Sequence, residues 1–113
     1  MKVEADAKQL TVFINSTDQW HGRPLYAAIV QLCKEQGIAG ATVTRCVEGY
    51  GAGGELHTAR MLELSEHLPV RVEIIDLPER IDPFLPRLGN MIGEGLVVIA
   101  NVRILRILPD AKP

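Results

Sequence analysis

Three arginines and two groups of glycines are the residues of this sequence with the clearest chemical potential. Arg45 follows the β-branched run Thr42-Val43-Thr44 and shares a strand face with Val43 and Val47, where an apolar side chain would be expected. A guanidinium buried there needs an acidic partner or an anionic ligand, because its desolvation is otherwise uncompensated. A salt bridge across a subunit interface, to a residue such as Glu48 or Glu73, meets that need and is the default reading. Arg103 and Arg106 lie in the last apolar run and read by default as solvated strand-edge charges. Gly49, Gly51, Gly53 and Gly54 cluster, and Gly93 and Gly95 flank Glu94. Successive amides in such turns can point into a concavity and hold an anion. Plain loop flexibility explains the first group equally well, and a helix cap followed by a turn explains the second.

Other chemistries have weaker footing. His21, His57 and His67 include no pair at the i, i+4 spacing a helix would use for a metal, and no cysteine or carboxylate cluster accompanies them, so a structural or surface role is expected. Ser16 and Ser65 lack a Gly-x-Ser-x-Gly setting and no Cys-His partnership is visible, so the chain is expected not to be an enzyme. A lesser alternative is a small nucleotide-acting enzyme with Glu55, His57 or Glu63 as acid or base. Cys33 and Cys46 have neither metal-ligand nor redox-motif spacing and read as two reduced cytosolic thiols. Trp20 and Tyr26 flank the start of the first helix as packing aromatics.

The elements that must position these residues follow from periodicity. Leu10, Val12 and Ile14 alternate with Thr11, Phe13 and Asn15 and predict a first strand, ended by Ser16-Thr17-Asp18. Pro24 suits the first position of a helix, whose face is Leu25, Ala28, Ile29, Leu32 and Cys33 and whose C-terminal cap is Gly37. Residues 41 to 48 predict a second strand, and Val70, Val72, Ile74 and Ile75 a third. Between them lies a long, glycine-opened excursion, of a length that is usually functional or disordered, with Met61 to Ser65 as a short edge segment. Ile81, Phe84, Leu85, Leu88 and Ile92 repeat at helical spacing, but Pro83 and Pro86 predict that this second helix begins near Pro83 or is kinked. A last strand of about thirteen residues should run from Leu96 to Leu108 and overshoot neighbours of about six.

The order βαββαβ is the split βαβ arrangement: an α+β, ferredoxin-like sandwich with both helices on one face of a four-stranded antiparallel sheet. The 113 residues suit a single domain with its core at about 9–108. Phe13 and the apolar residues at consecutive positions of the last strand call for burial on the sheet's other face too, most economically by self-association. Twelve Lys and Arg against fourteen Asp and Glu, with aromatics spread singly, argue against nucleic acid as a partner. The charged start and the absence of an apolar run of roughly 18 residues argue for a cytoplasmic protein without membrane insertion.

Three stretches, Trp20-His21-Gly22-Arg23-Pro24-Leu25-Tyr26, Gly37-Ile38-Ala39-Gly40-Ala41-Thr42-Val43 and His57-Thr58-Ala59-Arg60 leading through Leu68-Pro69, together with the turn Gly93-Glu94-Gly95-Leu96, resemble the short PII-like proteins of bacteria and archaea over residues 9 to 108. The resemblance implies a homotrimer, as in nitrogen-regulatory PII proteins and their copper-tolerance relatives. It implies a T-loop at the excursion from Gly49 to about Met61, and a small effector, usually an adenine nucleotide, bound between subunits at its base. Where PII proteins carry a Gly-Asp-Gly-Lys turn, this chain has Leu96 in place of the phosphate-binding lysine, and Arg103 and Arg106 lie close to the position of two phosphate-binding arginines without their spacing.

The expectation is therefore a signalling or regulatory trimer with no resident cofactor. It binds a small anionic metabolite, with a mono- or diphosphate nucleotide ahead of a triphosphate. The expected intersubunit cleft is lined by Arg45, Gly49, Gly51, Gly93, Gly95, Arg103 and Arg106. A loop spanning Gly51 to about Leu56 that is mobile when empty would control a partner, with a membrane transporter or channel implied by the resemblance. The alternative from another class is a metal-binding or stress-tolerance trimer using the histidines around the loop.

Overall fold

The computed structural model describes residues 1–50 and 69–110. Its main sheet contains β1 (Lys2–Asn15), β4 (Gly40–Arg45), β5 (Pro69–Asp76) and β6 (Leu96–Ile107), and its helices are α1 (Leu25–Glu35) and α2 (Pro78–Met91). The sheet order is β4-β5-β1-β6 with every neighbouring pair antiparallel. This is the expected ferredoxin-like sandwich. Leu10, Val12 and Ile14 of β1 sit opposite Ile74, Val72 and Val70 of β5, and all six are buried with Leu25, Ala28 and Ile29 of α1 and Ile81, Phe84 and Leu88 of α2 in one cluster. Both helices therefore cover the same face.

The end of α1 is set by backbone chemistry. Gly37 adopts φ +71°, the Gly37 amide donates to the Lys34 carbonyl and the Ile38 amide donates to the Cys33 carbonyl at 2.9 Å, which together form a Schellman motif. Pro24 is the residue before α1 rather than its first residue. Asp76, a buried charged residue at the end of β5, accepts hydrogen bonds from the amides of Ala39 at 2.9 Å and Leu77 at 2.7 Å. One carboxylate thus ties the entry to β4 to the entry to α2.

Three expectations are corrected. The second helix starts at Pro78, not near Pro83, and contains both Pro83 and Pro86. Pro78 takes a first-turn position where a missing N–H costs nothing, and Pro83 and Pro86 lie on the exposed side while Ile81, Phe84 and Leu88 bury the other. The first strand begins at Lys2, far upstream of Leu10. The last strand consequently does not overshoot the strand beside it: β6 pairs with β1 from Leu96 opposite Phe13 to Ile107 opposite Lys2. What projects instead is the two of them together. Residues 2–7 of β1 lie beyond the first β5 pairing, at Lys8, and form a two-stranded ribbon with residues 102–107, which helps make the molecule 55 Å long.

A small hairpin before α1 has no counterpart among the expected elements. Gln19–Trp20 (β2) pairs with Arg23–Pro24 (β3), and His21 at φ 48° with Gly22 at φ 78° form the turn, both central residues having the positive φ of a type I′ hairpin. The rings of Trp20 and His21 stack with centroids 4.2 Å apart and planes 12° from parallel.

Candidate ligand site

The register places the predicted ligand residues along the sheet. Arg45, the last residue of β4, is opposite Val70, which is opposite Ile14 of β1, and Gly95 continues that row one position before the Leu96–Phe13 pair. Arg45 and the Gly93-Glu94-Gly95 turn therefore lie at one end of the sheet but on its two opposite edges, about 14 Å apart across three strand spacings. Gly49 follows Arg45 shortly after the strand ends. Gly51 lies outside the described residues, as do Glu55, His57, Glu63, His67, the Met61 to Ser65 segment and the predicted mobile stretch from Gly51 to Leu56.

Arg103 and Arg106 sit elsewhere. Arg103 is opposite Asp6, eight residues of β1 away from the Ile14 row, or about 26 Å. Their separation of three residues also puts them on opposite faces of the strand: Arg103 shares the helix-side face with Ile99, whereas Arg106 shares the open face with Val98. Arg103 donates to Glu4 Oε2 at 2.8 Å in an exposed pair. Within one subunit no single ligand can be held by both, nor by either together with Arg45.

Arg45 corrects the expectation of a buried guanidinium. It shares the helix-side face of β4 with Ala41 and Val43, but it stands at the strand's end and is exposed, and Val47 lies beyond the strand. Among the described residues it has no ion pair. Glu73, one suggested partner, is on the opposite face and faces Arg71 Nε at 3.4 Å.

The glycines separate by packing. A side chain at Gly95 would meet the Phe13 carbonyl oxygen and Ile92 Cγ2 at 3.0 Å and Ile14 Cγ2 at 3.1 Å, so the close approach of β6 to β1 already explains the residue. Among the described residues nothing would meet a side chain at Gly93 or Gly49. Their lack of side chains has no packing reason, which leaves their backbone groups approachable.

Arg71 escaped the sequence reading. It lies on the open face beside Phe13 and Thr44, with its Nε buried and lacking a hydrogen bond among the described residues. The alternation of Val70-Arg71-Val72-Glu73-Ile74 could have placed it there. Around it the open face carries Phe13 at 42% exposure, Val98 at 43% and Leu96 at 59%, and it continues along the ribbon through Ala5, Val3, Val102 and Ile104. Of the thiols, Cys33 is buried and burial pushes it up from 9.0 to about 11, against a smaller lowering by a backbone hydrogen bond. Among the described residues no three His, Cys, Asp or Glu side chains are grouped to hold a metal ion, and no helix is long and apolar enough to cross a membrane.

A four-stranded antiparallel sheet in this order, with two helices on one face, defines a ferredoxin-like α+β domain. The structure is similar to that of CPII, a nitrogen regulatory PII-like protein from Thiomonas intermedia K12 bound to ADP, AMP and bicarbonate, with a TM-score of 0.69 and 13% identity over 90% of this chain and 91% of that one. A putative PII-like signaling protein from Thermus thermophilus gives a TM-score of 0.59 at 21% identity, covering 89% and 90% of the two chains. The chain belongs to the DUF190 family, described as "Uncharacterized ACR, COG1993", which it matches over residues 7–104. A UPF0166 protein of Aquifex aeolicus is 35% identical over 98 residues, 87% of this chain and 92% of the relative.

Proposed function

We propose that this protein is a PII-like regulator that assembles through its open sheet face. It binds a small anionic metabolite, a nucleotide's phosphate above all, where the Arg45 edge of one copy meets the Gly93-Gly95 edge of the next. The observation that carries the reading is the placement of those two features at one end of the sheet on opposite edges. Copies arranged around a closed symmetry axis juxtapose opposite edges, so a guanidinium without an ion pair among the described residues and a glycine turn that are about 14 Å apart within a chain can meet between chains. The exposed apolar face supports the assembly, and the likeness of fold to a protein bound to ADP, AMP and bicarbonate supports the ligand class.

Without a lysine at position 96, the site has fewer cations to offset a triphosphate. The long β4–β5 connection engages the partner protein, which responds to the ligand because the two states of the connection differ in affinity for it. Calorimetry with AMP, ADP and ATP tests the proposal. AMP or ADP should bind more tightly than ATP, and Arg45→Ala should weaken binding by about 1.5 to 3 kcal/mol, the scale of a charged hydrogen bond, while the assembled mass persists. No binding of any of the three, or equal affinity in the variant, would refute it.

A further inference from the structure

A groove of about 310 Å³ runs along the outer surface of the helix layer, between α1, α2 and the β2–β3 hairpin. Its walls include Trp20 and Arg23 of the hairpin, Gln31 and Glu35 of α1, and Arg87 and Asn90 of α2. Gln31 and Glu35 are one helical turn apart, as are Arg87 and Asn90, so each helix presents a row of polar side chains to the same channel.

The charges of this groove are not matched internally. Arg23 and Arg87 are both exposed, and neither makes an ion pair or hydrogen bond among the described residues. The groove's carboxylate does not neutralise them: Glu35 Oε1 instead accepts a hydrogen bond from Gln31 Nε2 at 3.2 Å. A chain whose net charge is −2 thus gathers two uncompensated guanidiniums in one depression. Guanidinium forks match the planar or tetrahedral oxygens of carboxylate and phosphate. Beside them the indole of Trp20 is fixed in plane by its stack on His21, and the positive φ of His21 and Gly22 locks the hairpin that carries both rings. A flat, amphipathic wall next to two cations suits an aromatic group joined to an oxyanion.

We propose that the groove between α1, α2 and the β2–β3 hairpin is a second ligand site, for a small aromatic oxyanion whose carboxylate or phosphate lies between Arg23 and Arg87 and whose ring lies against Trp20. Its volume, near the lower end of the roughly 300–1,000 Å³ of ligand pockets, suits one ring with one anionic group. The site is on the helix layer, across the domain from the open sheet face, so assembly through that face leaves it accessible. It is independent of the Arg45 site, and either can fail without the other.

Trp20 is the one tryptophan of the sequence, so its emission reports on this groove alone. The full chain is titrated with phenyl phosphate, benzoate, cyclohexanecarboxylate and inorganic phosphate. Phenyl phosphate or benzoate should change the emission saturably at millimolar concentration or below, and the tighter of the two identifies the oxyanion. Arg23→Gln and Arg87→Gln, both at exposed positions and with unchanged unfolding midpoints, should each weaken binding about tenfold or more, whereas Lys2→Gln on the distant ribbon should not. The absence of a saturable change with either aromatic anion up to about 10 mM overturns the site. So does unchanged affinity in both arginine variants, and cyclohexanecarboxylate binding as tightly as benzoate overturns the role of the indole.

Discussion

Asp76 is the residue on which the fold places its most concentrated polar demand, since its buried carboxylate satisfies two backbone amides that begin different elements. Replacing it with Ala leaves both donors without their acceptor, and the expected loss is about 2 to 3 kcal/mol of unfolding free energy by urea titration. The paired glycines of the last turn make a sharper contrast. Gly95→Ala forces a methyl against the Phe13 carbonyl and should destabilise by about 1 to 3 kcal/mol, whereas Gly93→Ala, which meets nothing among the described residues, should stay within about 0.5 kcal/mol. Any loss of ligand affinity in Gly93→Ala is then a property of the turn and not of the fold. Cys33, buried and raised to about 11, should resist a thiol reagent at neutral pH while half-buried Cys46 reacts first. The sign of its linkage follows: the neutral thiol's contribution to stability is intact below pH 9.0 and is lost as the pH rises through about 11.

At the scale of elements, α2 shows how burial overrides a local rule. Each internal proline removes a backbone donor, yet the row Ile81, Phe84, Leu88 is fully buried and outweighs that cost by holding the helix to the sheet. The ribbon shows a second override. Val3, Ala5 and Ala7 alternate with charged residues, but in the opposite phase to Leu10, Val12 and Ile14, and the register carries no bulge between them. The apolar side of β1 therefore moves from the helix face to the open face along one strand. A two-stranded ribbon is marginal alone, so amides of residues 2–7 and 102–107 should exchange faster than those of 10–14 in a monomeric variant and become protected in the assembled protein. Equal protection in both states would mean that no neighbouring copy covers the ribbon.

For the whole molecule the uncovered sheet face is the dominant feature. Phe13, Ile75, Leu96 and Val98 form an exposed apolar surface around the Arg71–Glu73 pair, which any covering copy must accommodate. A self-associated form satisfies this surface without a foreign partner. Light scattering should therefore report about three times the 12.4 kDa of one chain, the trimer that the proposed regulator requires, and Leu96→Glu should return the single-chain mass by burying a carboxylate at the interface. Retention of the parent mass by the variant would place the interface elsewhere.

The short-range record of the sequence was enough for the sandwich itself. Two-residue alternation at 10–14 and 70–74, helical spacing at 25–33, and Gly37 as a cap are all local patterns, and each is realised as expected because core burial follows them directly, while the helical spacing from Ile81 is realised in a helix that begins earlier than expected, at Pro78. The same two-residue period already implied that Arg103 and Arg106 point to opposite faces. What only the tertiary structure decided was alignment. That Arg45 falls in one row with Gly95, that Arg103 lies about 26 Å from that row, and that β1 reaches back to Lys2 all depend on which residues of distant strands pair. Register is a non-local choice set by the summed burial of several strands, so no window along the chain contains it. The groove of Arg23 and Arg87 has the same origin: residues 64 positions apart line one depression only because α2 packs beside α1 and the hairpin that precedes it.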